Sequence, residues 1–150
     1  EILLNPDSIQ KSINVLVRNK QAAASILAIK FDKFNSPSDF KVVFNKAMEL
    51  MYISRNDIPS NAKNKIKSML KAYHLMAFKK ETILDYYNME KTSLEKIEDH
   101  EHLRLLENGY KIVGQIVEDD CISLDTYSDL KLIEEKLKKD KIFLEKIRSI

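Results

Sequence analysis

The sequence predicts an all-α fold, an antiparallel bundle of four to five helices, and three observations point there. Apolar residues recur at three- and four-residue steps over most of the chain. Only 2 of 150 residues are Gly and 3 are Pro, too few for a turn-rich all-β architecture. Hydroxyl, acidic or proline signals for helix starts stand ahead of the periodic runs. With 44% apolar and 32% charged residues, the length suits one core, so residues 1–150 are read as a single helical-bundle domain. The chain begins at Glu1 rather than Met, which reads as a processed chain or a fragment of a longer protein.

Asn5-Pro6-Asp7-Ser8 supplies the first start, with Asp7 or Ser8 as N-cap, and Ile9, Ile13, Leu16, Ala23, Leu27 and Phe34 hold one face to about Asn35. Within it the small residues Ala22 to Ser25 let a neighbouring helix approach closely. Ser36-Pro37-Ser38-Asp39 combines a hydroxyl cap, Pro at the first helical position and a negative charge in the first turn. It opens a second helix along Phe40, Val43, Phe44, Ala47, Leu50 and Met51, which ends before the loop Ser54 to Ser60. Asn61 to Tyr87 then reads as one long central helix, with Ile66, Met69, Leu70, Tyr73, Met76, Ala77, Ile83, Leu84 and Tyr87 on its apolar face.

Thr92-Ser93-Leu94-Glu95 fits a capping box and marks a fourth helix. Asn108-Gly109 and Gly114 interrupt its pattern, so 109–117 reads either as kinked helix or as a brief hairpin. A last helix starts near Asp125 or Ser128. There Leu130, Ile133, Leu137, Leu144 and Ile147 follow a heptad suited to self-association, broken only by Asp140.

Catalytic chemistry finds little support. There is no G-x-S-x-G, P-loop or dinucleotide fingerprint, and two glycines cannot build a phosphate-cradling loop. Cys121 follows Glu118-Asp119-Asp120, a setting that raises a thiol pKa and blunts its nucleophilicity. His100 and His102 would point about 200° apart on a helix, which leaves them unable to share a tetrahedral ion. No metal, no cofactor and no enzymatic activity are expected.

Charge is the stronger signal. Between residues 55 and 80, Arg55, Lys63, Lys65, Lys67, Lys71, Lys79 and Lys80 face the lone Asp57, whereas the stretch that follows is acidic. On the central helix Lys63, Lys67, Lys71 and His74 would form one stripe. The acidic stretch lies against it, an anionic partner does, or the lysines simply solubilise an exposed helix. Arg55, Lys63, Lys67, Lys71 and His74 are therefore the candidate anion- or partner-binding residues, with Ile58, Tyr86 and Tyr87 as membrane or partner anchors.

The expected function is a non-enzymatic protein-protein interaction module, an adaptor or effector-type domain. The alternative is an anionic-membrane or phosphoinositide-binding domain that uses the basic stripe. Another protein is the first partner, an anionic membrane surface the second, and nucleic acid is disfavoured because Arg is scarce and no base-reading helix is recognisable. One Cys, no secretory signal and no apolar run near 20 residues point to a cytoplasmic, reducing location, peripheral at a membrane under the alternative.

Overall fold

Among the described residues a five-stranded mixed sheet with helices on both faces replaces the expected all-α bundle. The structure, a computed structural model, describes residues 5–118, 127–140 and 143–145. They fall into two compact units, Asp7–Glu118 and a second that holds the C-terminal helix. In the first, the order is α1 (Pro6–Arg18), β1 (Ala24–Phe31), β2 (Lys41–Phe44), β3 (Leu50–Ser54), β4 (Met69–Phe78), α2 (Lys80–Asn88), α3 (Ser93–Glu98), α4 (His102–Glu107) and β5 (Ile112–Ile116). The sheet runs β3-β2-β4-β1-β5, with β1 and β5 parallel and the other neighbours antiparallel.

β1 explains why the sequence misled. Ala24, Ile26 and Ala28 face one core cluster with Phe40, Val42, Ile53, Ala72, Leu103, Leu105 and Ile112. Ser25 turns the other way and donates from its hydroxyl to the Ser12 carbonyl of α1, 2.7 Å away. A strand covered on both faces has no polar alternation, so its apolar run satisfies a helical period as well as a strand. The expected first helix is therefore α1 followed by a strand. On α1 the buried residues are Ser8, Ser12 and Leu16, while Ile9 and Ile13, expected to be inward, are 42% exposed. The small serines let the helix sit close to β1, where Ser12 and Ser25 hydroxyls meet at 3.0 Å.

The expected second helix is the β2–β3 hairpin. Asn45 turns it, its side-chain oxygen accepting from the backbone N–H groups of Ala47 and Glu49, each at 2.9 Å. Ser36 to Asp39, expected as a helix cap, is a turn closed by the Ser36 hydroxyl donating to Asp39 at 2.6 Å. The long central helix does not form either. Residues 61–68 are irregular, 69–78 are β4, and only 80–88 are helical. In β4 the register against β1 jumps between Tyr73 and Met76, a bulge that slides the apolar positions into helix-like steps.

The capping-box start of α3 is present at Ser93, with Glu95 accepting from the Thr92 N–H at 3.4 Å. The helix then breaks at Asp99, whose φ is 52°, before α4 begins at His102. The segment 109–117 is neither kinked helix nor hairpin. Gly109, at φ 78°, ends α4, and Ile112–Ile116 pairs in parallel with β1.

In the second unit α5 spans Tyr127–Leu137, a helix where the sequence expected one. Leu130, Ile133 and Leu137 lie on its less exposed side. Cys121 and Ile147 lie outside the described residues. Among the described residues no helix is long and apolar enough to cross a membrane.

Candidate functional site

Charged groups converge where the β2–β3 hairpin meets the junction of α3 and α4. Lys41 opens β2 and is fully buried. Its ammonium donates to the carbonyls of Ser36 and Asp39, each at 2.7 Å, and to that of Arg55. Burial pushes its pKa down, and the Asp57 and Asp39 carboxylates oppose that. Asp57 lies 3.9 Å from the amine and accepts the Asn35 N–H at 2.9 Å. Lys41 thus knots the 36–39 turn to the segment after β3.

Arg55, just past β3, reaches across to α3. Its Nε donates to the Glu98 carbonyl at 2.9 Å and Nη1 to that of Pro37 at 3.1 Å. Its Nη2 stands 3.6 Å from Asp99, and the guanidinium lies 4.3 Å above the Phe40 ring. The Glu98 carboxylate accepts from the Ser54 hydroxyl (2.7 Å), the Arg55 N–H (2.9 Å) and the Tyr52 hydroxyl (3.3 Å). Burial raises the Glu98 pKa, but these hydrogen bonds, led by the Arg55 N–H, hold it below the ordinary carboxylate value. The guanidinium is held at all three nitrogens and is still 36% exposed, a fixed positive charge beside solvent.

Across the α3–α4 junction Arg104 donates to both Glu95 oxygens, at 2.7 and 2.5 Å, to the Met89 carbonyl at 3.2 Å, and lies 4.2 Å over the Tyr86 ring. The hydrogen bonds to Arg104 hold the Glu95 carboxyl low. A pocket of 380 Å³ opens beside these groups, lined by Lys91, Asp99, His100 and Glu101 among others.

The structure disperses the expected stripe. Lys63 and Lys67 are exposed on the irregular 61–68 segment, and Lys71 sits on β4 in an ion pair with Asp39 at 2.6 Å. His74 belongs to the β4 bulge. Arg55 and Lys71 do come together at one place, since both fasten the 36–39 turn. Ile58 is half-buried before the cis-Pro59 bond. Tyr86 packs against the core under Arg104, so of the two tyrosines only Tyr87, 86% exposed, stands out into solvent. Sequence reasoning missed Lys41, Glu98, Glu95 and Arg104. The signals available were the scarcity of Arg, with Arg104 set near glutamates, and a lysine opening the apolar Lys41-Val42-Val43-Phe44 run.

A family profile described as cytidylyltransferase matches residues 1–112. The chain is 32% identical over 145 residues to a 3-deoxy-manno-octulosonate cytidylyltransferase of Fusobacterium nucleatum, covering 95% of this chain and 59% of that protein. To the enzyme of the same name from Bacteroides thetaiotaomicron it is 38% identical over 113 residues, 71% of this chain and 44% of that one. The fold resembles a solved CMP:2-keto-3-deoxy-manno-octonic acid synthetase complexed with CTP, at TM-score 0.84 and 21% identity over 91% of this chain and 58% of that chain. The chain therefore spans less than two thirds of the length of these relatives. These matches overturn the expectation of a non-enzymatic interaction module, and equally that of a phosphoinositide- or membrane-binding domain.

Proposed function

The chain belongs to the cytidylyltransferase family, and from that premise we propose that it takes part in transferring a cytidylyl group from CTP to a sugar acid of the 3-deoxy-manno-octulosonate class. In that reaction a sugar hydroxyl oxygen attacks the α-phosphorus, a C–O–P bond forms, the bond to pyrophosphate breaks, and the hydroxyl proton passes to solvent or a base. The observation that carries the reading is likeness to such an enzyme along 95% of this chain. The geometry adds a fitting anion-binding group. Every substrate of this class carries carboxylate or phosphate, and Arg55 holds a partly exposed positive charge in place, with Nε and Nη1 donating to backbone carbonyls and Nη2 3.6 Å from Asp99. The same reading puts the chain in the cytosol, where CTP is available.

The test incubates the chain with the magnesium salt of CTP and 3-deoxy-manno-octulosonate and follows pyrophosphate and the CMP-linked sugar, with calorimetric binding of each substrate alongside. Turnover, or saturable binding of the sugar acid, should fall at least about tenfold in Arg55→Ala, as for loss of a charged contact of about 1.5–3 kcal/mol. Failure to bind either CTP or the sugar acid would overturn the proposal.

A further inference from the structure

Arg55 is held at its backbone and at its side chain by the same residue. The Glu98 carboxylate accepts the Arg55 backbone N–H at 2.9 Å, and the Glu98 carbonyl accepts from Arg55 Nε at 2.9 Å. Resting on the reading of Arg55 as a contact for the sugar acid, we propose that Glu98 is the positioning residue of that contact. It touches no substrate itself and sets where the guanidinium stands.

The end of α3 is what lets one residue do both. Asp99 takes φ 52° and stops the helix, so the Glu98 carbonyl has no donor within α3 and meets Arg55 instead. The side chain of Glu98 runs to the end of β3. There Oε1 accepts from the Ser54 hydroxyl at 2.7 Å and the Tyr52 hydroxyl at 3.3 Å, while Oε2 accepts the Arg55 N–H. These donors locate the carboxylate, and the carboxylate locates the backbone from which the Arg55 side chain springs.

The remaining supports act only on the tip of that side chain. The Pro37 carbonyl accepts from Nη1 at 3.1 Å and the Phe40 ring lies 4.3 Å from the guanidinium. Asp99, 3.6 Å from Nη2, is 90% exposed, so solvent screens the pair. A long side chain ordered at root and tip has little freedom left to lose when an anion binds, and affinity rises accordingly. The charge of Glu98 works in the opposite direction, because a carboxylate repels an arriving anion. Its benefit is therefore one of position.

The experiment measures calorimetric binding of 3-deoxy-manno-octulosonate to the wild type, Glu98→Asp, Glu98→Gln, Arg55→Lys and the Glu98→Asp/Arg55→Lys pair. Aspartate keeps the charge but is a methylene too short to reach Ser54 and Arg55 together. Glutamine keeps the reach, since the hydroxyls of Ser54 and Tyr52 accept as well as donate. Affinity should fall at least about fivefold in Glu98→Asp, stay within about twofold of wild type in Glu98→Gln, and change by no more than about twofold when Glu98→Asp is added to Arg55→Lys. Circular dichroism verifies folding, and a merely structural role would lower Tm without moving the Kd of the folded protein. Should Glu98→Asp fail to fold, Tyr52→Phe/Ser54→Ala, which strips the hydroxyl anchors from the same carboxylate, takes its place with the same outcome expected. Wild-type affinity in Glu98→Asp, an equal loss in Glu98→Gln, or an undiminished loss on the Arg55→Lys background would overturn the proposal. A wild-type chain that binds no sugar acid would instead overturn the reading of the site, and this proposal with it.

Discussion

Gly114 should be among the least replaceable residues of the sheet. A methyl group built there would lie 2.1 Å from Phe44 Cε1, 2.5 Å from Cζ and 2.8 Å from Cδ1. Carbon atoms rest about 3.5–4.0 Å apart, so the ring would have to retreat by about 1.4 Å. Retreat is hindered from both sides. Gly114 is fixed in β5, paired with Ile26 and donating to the Met48 carbonyl at 2.6 Å, and Phe44 packs against the main core cluster. A ring forced off its rotamer costs about 0.5–1.5 kcal/mol, and a ring expelled loses about 1.5–3 kcal/mol of burial. Gly114→Ala should therefore lose about 2–3 kcal/mol, within the range for overpacked sites. At this chain length each kcal/mol moves Tm by about 2–4 °C. Thermal unfolding by circular dichroism should thus show a fall of about 4–12 °C, partly recovered when Phe44→Leu is added, because the two sites are coupled. A Gly114→Ala protein that melts with the wild type, or a double variant no better than the single one, would refute the argument.

Lys41→Met should cost at least about 2 kcal/mol in urea unfolding, because the buried carbonyls of Ser36, Asp39 and Arg55 lose their shared donor; unchanged stability would mean water replaces the amine. Glu98 gives a pH dependence. Its folded-state pKa lies below the ordinary value, so its stabilisation is present above the unfolded carboxylate pKa of about 4.3 and is lost as pH falls through the folded value. In Glu98→Gln the loss of Tm on acidification should be shallower below about pH 4; identical acid limbs would remove Glu98 from the account.

Legibility in the sequence followed local chemistry. The Thr92–Glu95 box marks the start of α3 because capping is decided by residues three apart, and α5 kept its periodicity because one of its sides remains polar. β1 and β4 were unreadable for the opposite reason. The two buried faces of β1 remove the alternation that identifies a strand, and in β4 the bulge adds a helix-like step. Arg55 and Lys71 were singled out for a shared helix face that does not exist, yet they do meet, through the turn at 36–39. His100 and His102 were expected to point apart on a continuous helix, and a single left-handed residue, Asp99, brings their Nδ1 atoms to 2.8 Å from each other.

The parallel pairing of β1 with β5 has a consequence during synthesis. Among the described residues β1 lies second from one edge of the sheet, with Ala24 beside Ile112 and Ala28 beside Ile116. One side of this apolar strand therefore has no partner until the chain as far as β5 has left the ribosome. Distant contacts of this kind slow folding, and an unpaired apolar edge is a template for association with other chains. The nascent protein is consequently most exposed to aggregation, and most in need of chaperone cover, in the interval between the emergence of Phe31 and that of Ile116.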